Sequence, residues 1–244
     1  AYPALAGVLA EQLSDARPPT MAGGTQPVVV SVIGLHPGAP VDAVAAELVA
    51  HLRTRLRADL LGDPGPESLE RAEAELDRVL LVAGAEDPHR DFCLRQADHL
   101  VLVAAAATAP PADADVLGTG ADVVLVGGRP PEEALRLWCE ALDPWQVTIA
   151  ADHVPGDDLR MLAARIGGWS VGMVMAGGGA RGFAHIGVLQ ELTSAGIMVD
   201  RVAGASIGSI VAGAWASGLD PVTLHEAHYE DFVRTNPLGD YTFP

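Results

Sequence analysis

Three observations predict an α/β fold with mostly parallel sheets and covering helices. From Val28 to Ile166 short β-branched runs alternate with longer amphipathic ones, the pattern of strands joined by crossover helices. From Val171 onward a strand–turn–helix unit occurs twice, and it sets two helix N-termini at one edge of a parallel sheet. The chain is 49% apolar but only 5% aromatic. Alanine supplies much of the apolar share and 27 further residues are glycine, so the core should be tightly packed and poor in rings.

Taken in order, Ala1–Arg17 reads as the end of a helix, and Pro18–Pro27 (PPTMAGGTQP) as a linker. The unit that follows, residues 28–168, is expected to hold strands at Val28–Leu35, Val79–Val82, Leu100–Ala104, Val123–Val126 and Val147–Ala150. Its helices are expected at Val41–Arg57, Asp91–Ala97, Glu132–Ala141 and Asp158–Ile166. At Gly167-Gly168-Trp169 glycine becomes frequent and acidic residues sparse, which places a boundary there. Residues 169–244 then read as strand Val171–Met175, turn Gly177–Gly182, helix Phe183–Ala195, strand Val199–Ala203 and helix Ile207–Ser217. Pro221 opens a last helix running to Arg234. The chain starts at Ala1-Tyr2 and stops at Tyr241-Thr-Phe-Pro244, so both ends read as cut.

Composition narrows the function. Against 32 Asp and Glu stand 15 basic residues, all arginine, and the net charge is −17. This argues against nucleic acid as a partner. It also argues against docking on anionic lipid through a basic patch, because the densest run is Arg53, Arg55 and Arg57 on one expected helix. Any lipid contact is then mainly apolar. Cys93 and Cys139 lie in no metal-ligand pattern and are expected as two reduced core thiols. No apolar run reaches about 18 residues and no basic signal start is present. A cytoplasmic chain, peripheral at most to a membrane, is the expectation.

Two glycine-rich turns carry the chemistry. Gly204-Ala205-Ser206-Ile207-Gly208 is a G-x-S-x-G between an expected strand and helix. On such a turn the serine Oγ stands exposed above the sheet, and the glycines let strand and helix pass. The following helix points its positive end at the serine. Gly177-Gly178-Gly179-Ala180-Arg181-Gly182 exposes consecutive amide N–H groups, a concavity that binds anions. One such anion is the oxyanion of acyl transfer. Another is a pyrophosphate, since Gly177, Gly179 and Gly182 satisfy G-x-G-x-x-G. That alternative, a non-catalytic nucleotide- or phosphate-binding module, needs an acid at the end of the next strand, whereas Asp200 precedes most of it. It also leaves Ser206 unexplained. A phosphate-loop NTPase is excluded by the absence of lysine.

The stretches GGGARGFAHIGVLQEL (Gly177–Leu192) and GASIGSIVAGAWASG (Gly204–Gly218) together resemble the front of a patatin-like phospholipase domain, in its bacterial neuropathy-target-esterase-like branch. The resemblance covers Val171 to Pro244, and HRDFCLRQADHLVLVA (His89–Ala104) is similar to the α/β segment preceding the catalytic domain in that branch. It implies a serine acyl hydrolase with a Ser–Asp dyad acting on phospholipid or lysophospholipid without a cofactor. Ser206 matches the nucleophile, Gly204 and Gly208 its elbow, and Gly177, Gly178, Gly179, Arg181 and Gly182 the oxyanion turn. The family's base lies in a later D-G-[GA] motif. No Asp in this chain precedes Gly, so the base is expected outside it. Ala1–Arg17 is similar to the last helix of a cyclic-nucleotide-binding-type domain. Arg181 would hold the loop, attract an anionic headgroup or form a salt bridge. His185 is expected to pack or cap, His36 to be a loop histidine, and His225, Glu226 and His228 to form a solvated face with no metal.

Overall fold

The structure is a computed structural model that describes residues 28–112, 120–151 and 158–235. The helix end and linker expected at Ala1–Pro27 lie outside the described residues. Those described form two compact units that meet in sequence at Gly168 and Trp169.

The first unit is a six-stranded sheet, parallel at every pairing, whose strands run β1 (Val28–Gly34), β2 (Ala58–Leu60), β3 (Arg78–Ala83), β4 (His99–Ala105), β5 (Asp122–Val126) and β6 (Gln146–Ala150). In space their order is β2-β3-β1-β4-β5-β6. Helices α1 (Val41–Leu52), α2 (Pro66–Glu75), α3 (Arg90–Gln96) and α4 (Glu132–Leu142) make crossovers, and α5 (Arg160–Gly167) follows β6. Central strands such as VVVSVIG and DVVLV are apolar almost throughout because helices cover both faces. On one face Val29, Ile33, Leu81, Leu102 and Leu125 pack with Leu69 of α2, Cys93 of α3 and Trp138 of α4. The alternate strand residues point the other way, where α1 and α5 pack together. Ser31, buried on the α3 side, donates to the Cys93 carbonyl at 2.6 Å.

Several expectations are corrected here. The helix from Val41 ends at Leu52 rather than Arg57. Thr54 Oγ1 donates back to the His51 carbonyl, Arg53 Nε donates to the Ala58 carbonyl, and Arg57 pairs with Asp77, so the chain turns into β2. The arginine run therefore does not share a helix. Both β2 and α2 are additions to the expected order. Cys139 is exposed and only Cys93 lies in the core. His36 is a loop histidine, as expected: it donates from Nε2 to the Ala109 carbonyl at 2.9 Å and packs edge-on against Trp138.

At the N-terminal edge of the sheet Asp122, 1% exposed, accepts from His99 Nε2 at 2.6 Å and from the Arg165 guanidinium. This buried carboxylate ties α5 to the starts of β4 and β5.

The second unit has two parallel strands, β7 (Gly172–Met175) and β8 (Arg201–Gly204). A 3₁₀ helix (Gly179–Phe183) leads into α6 (Ala184–Ser194), β8 into α7 (Ile207–Ala216), and α8 (Pro221–His228) continues as a π-helix (Tyr229–Arg234). Met175, Ile186, Leu189, Val211, Ala212 and Leu224 form its core. Among the described residues no helix is long and apolar enough to cross a membrane.

Candidate active site

The register of the short sheet decides where the two glycine turns meet. Met175, the last residue of β7, sits opposite Gly204, the last of β8. Both turns therefore leave the same edge, and the Ala205 amide donates to the Met175 carbonyl at 3.0 Å.

Ser206 has φ 52° and ψ −128°, and is one of two described non-glycine residues with positive φ. Such a backbone costs on the order of 1–3 kcal/mol and persists only where its surroundings over-determine it. They do so here. The Ser209 amide and Oγ donate to the Ser206 carbonyl at 2.8 and 2.6 Å, and the Gly208 amide donates to the Ala205 carbonyl at 3.0 Å. The Ser206 side chain is left exposed at the start of α7, and among the described residues nothing hydrogen-bonds its Oγ.

Packing explains the glycines. A Cβ on Gly204 would strike the Gly208 carbonyl and lie 2.6 Å from the Ser209 nitrogen. One on Gly208 would strike the Met175 carbonyl and lie 2.7 Å from that of Ala176. The spacing of two residues either side of the serine is thus the spacing at which α7 presses on the ends of both strands. The first turn meets the same place: a Cβ on Gly177 would lie 3.2 Å from Ser206 Cβ, and one on Gly182 would collide with the Ile207 side chain.

Within the first turn Gly178 has φ 153° and Gly179 φ 56°, backbone that favours glycine. Among the described residues the amides of Gly178 and Gly179 donate to no backbone carbonyl. Exposed amides beside an exposed serine hydroxyl are chemically suited to a developing oxyanion. Arg181 projects from this turn, exposed, and no described residue pairs with its guanidinium. The structural salt bridge considered for it does not form among the described residues. His185 donates from Nε2 to the Ala176 carbonyl at 2.9 Å, holding the entry to the turn. Asp200 accepts from the Val171 amide at 2.6 Å, at the edge opposite Ser206. No acid therefore ends β8, which a dinucleotide site would require.

The cluster His225, Glu226 and His228 does not form the solvated face expected of it. His228 is buried at 6% exposure, because α8 turns it inward between Phe183 and Phe232. The Phe232 ring at the next helical turn was the sequence signal for that burial. At the start of α8 Asp220 caps, accepting from the Val222 and Thr223 amides, and its hydrogen bonds to Thr223 hold its carboxyl below the usual range.

Comparison with known proteins adds three findings. Residues 173–239 match the family model of the patatin-like phospholipases. Over 99% of this chain it is 38% identical to uncharacterized NTE family proteins of Mycobacterium bovis and Mycobacterium tuberculosis, and it spans about 43% of their length. Over 68 residues, 28% of the chain and 4% of the relative, it is 48% identical to a lysophospholipase nte1 of Emericella nidulans. No solved structure matches.

Proposed function

We propose, from the match of residues 173–239 to the patatin-like phospholipase family model, that the chain supplies the nucleophile half of a serine acyl hydrolase acting on phospholipid or lysophospholipid. One observation carries the reading: Ser206 stands exposed on a strained elbow, and the Gly177 turn lies so close that a Cβ placed on Gly177 would come within 3.2 Å of the Ser206 Cβ. Ser206 Oγ attacks the ester carbonyl while its proton passes to a base. The carbonyl oxygen becomes an oxyanion held by amides of the turn formed by Gly177, Gly178, Gly179, Arg181 and Gly182. Each well-placed donor contributes about 3–4 kcal/mol. The base hands that proton to the departing alcohol, then takes one from the water that attacks the acyl-serine, and returns it to Ser206 Oγ as the acid leaves. No step needs a cofactor.

No described residue is bonded to Ser206 Oγ, and this supports a base, an aspartate in the dyad reading, from outside the described residues. No Asp of the chain precedes Gly and an unactivated hydroxyl is a poor nucleophile at neutral pH, so in the dyad reading these 244 residues alone should hydrolyse esters slowly. In the same reading residues 28–168 are an upstream α/β unit, preceded by helix end and linker at 1–27, and 169–244 are the N-terminal part of the catalytic domain. Arg181, unpaired among the described residues, would meet an anionic headgroup. Half-exposed apolar residues such as Val222 and Val233 would serve peripheral membrane contact from the cytoplasm.

In the full-length protein a fluorophosphonate probe should label the wild type and Ser209→Ala but not Ser206→Ala, and ester hydrolysis should follow the labelling. Equal labelling of Ser206→Ala and wild type overturns the assignment.

A further inference from the structure

The glycine turn is short of bonds of its own. Among the described residues the amides of Gly177, Gly178 and Gly179 donate to no backbone carbonyl, and the Arg181 amide reaches the Gly178 carbonyl only at 3.3 Å. Glycine also imposes little steric limit, and Gly178 and Gly179 use that freedom at positive φ. The side-chain hydrogen bond that anchors this stretch comes from outside it: His185 Nε2 lies 2.9 Å from the Ala176 carbonyl. A carbonyl only accepts, so Nε2 carries the hydrogen. His185 does not cap α6 by this bond. A cap accepts from the free amides of a helix start, whereas His185 donates to a carbonyl that precedes the turn. Its ring is held in place by its own helix, whose Ile186 and Leu189 are buried in the core of the unit.

We propose that His185 is a positioning residue for the reaction, one that fixes the peptide plane from which the oxyanion amides follow. The inference rests on the acyl-hydrolase reading of Ser206. In a planar trans peptide the C=O and N–H point in opposite directions, so a carbonyl held toward His185 sends the Gly177 N–H away from it. The same oxygen is confined from a second side, since a Cβ on Gly208 would lie 2.7 Å from it. Gly177 itself borders the nucleophile, where its Cβ would stand 3.2 Å from that of Ser206. Its Cα joins the fixed plane to the next, which carries the Gly178 amide. Losing the donor frees the first plane, and a turn of glycines then samples orientations in which carbonyl oxygens replace amides. An acceptor in that place repels an oxyanion instead of holding it.

The test uses the full-length protein and a p-nitrophenyl ester. His185→Phe keeps a ring and removes the donor: kcat should fall about tenfold or more, short of the roughly 10²–10³-fold loss of an oxyanion donor outright, with KM unchanged. His185→Gln carries an N–H at a similar reach and cannot act as a base, so it should recover kcat to within about threefold of wild type. Wild-type kcat in His185→Phe overturns the proposal. An equal loss in both variants also overturns it, because the imidazole then acts as a base or a packing group, and so does a change confined to KM. The bond can be read without any variant that could misfold. In wild type labelled with ¹⁵N at histidine, at mildly alkaline pH, His185 should show the Nε2–H tautomer, and the Nδ1–H tautomer overturns the proposal. Reaction of Ser206 with a fluorophosphonate separates the two readings. An unreactive wild type overturns the hydrolase reading and this inference with it, while a reactive wild type unaffected by His185→Phe overturns this inference alone.

Discussion

Alanine at Gly208 and alanine at Gly213 make a matched pair on one helix, α7, and differ only in what the new methyl meets. At Gly213 nothing lies within 4 Å. At Gly208 the methyl meets backbone: it would lie 2.7 Å from the Ala176 carbonyl oxygen and the Met175 carbonyl carbon, and closer still to the Met175 oxygen. Backbone cannot rotate aside as a side chain can, so α7 must lift from the end of β7. Overpacking of this kind costs about 1–3 kcal/mol, whereas alanine in place of glycine inside a helix gains about 1 kcal/mol. Both variants receive the helix gain, so their difference isolates the packing. Gly213→Ala should be neutral to stabilising, and Gly208→Ala should lie about 1–3 kcal/mol below it. For a unit of this size that separates the unfolding midpoints by roughly 10 °C. Thermal unfolding of the full chain, with hydrogen exchange at the β7 and β8 amides to assign the transition, measures it. Fluorophosphonate labelling of Gly208→Ala should slow in parallel, because Ser206 moves with the helix. Equal stability of the two variants would refute the close-packing account of the elbow.

Two further predictions concern charge. Asp122→Ala should destabilise the first unit by about 3–5 kcal/mol in urea unfolding, because it strands the 13%-exposed Arg165 guanidinium without its carboxylate; a loss under about 1 kcal/mol would show that the network is dispensable. Asp220 has its carboxyl lowered by hydrogen bonds to Thr223. A depressed folded-state value gives stability that is present above the ordinary carboxylate range and lost as pH falls through the lower value. Wild type should therefore exceed Asp220→Asn at pH 7, and the gap should begin to close below about pH 4 and vanish only beneath the lowered folded-state value, while an offset that does not change with pH would contradict the assignment.

Much of the parallel architecture could be read from the alternation of runs, since strands with helices on both faces must be apolar almost throughout. The segment Ala58–Glu75 could not be read this way. β2 is three residues at the sheet edge, and α2 is largely charged and buries only Leu69, so neither shows a hydrophobic period. Pro66 at the first helical turn and Ser68, whose Oγ accepts from the Gly65 amide at 3.1 Å, were the available signals. Arg53–Arg57 kept helical spacing in sequence but was captured by tertiary partners, Ala58 and Asp77, that no local pattern displays. At the candidate site the order of the motifs was legible and the reason for each glycine was not. Gly182 looks like part of an anion turn, yet its lack of a side chain is required by Ile207, 25 positions away.

That requirement changes what the two motifs mean together. Gly177 and Gly204 are separated by a helix and a strand in sequence, yet the pairing of Met175 with Gly204 sets their turns side by side. Ala205 bonds Met175, Gly208 abuts Met175 and Ala176, Gly177 abuts Ser206, and Gly182 abuts Ile207. Apart from the Ile207 side chain against Gly182, these contacts involve backbone or Cβ atoms, so neither turn shifts readily without the other. The position of Ser206 relative to the glycine amides is therefore fixed by strand register. A slip of one residue between β7 and β8 would turn alternate side chains to the opposite face and would break all four contacts at once. Short strands usually hold register weakly, but here the glycines reinforce it, since only one alignment lets α7 approach both strand ends. The strained Ser206 backbone is the residue of that fit: it is the point where a helix packed against two strand ends has to rejoin one of them.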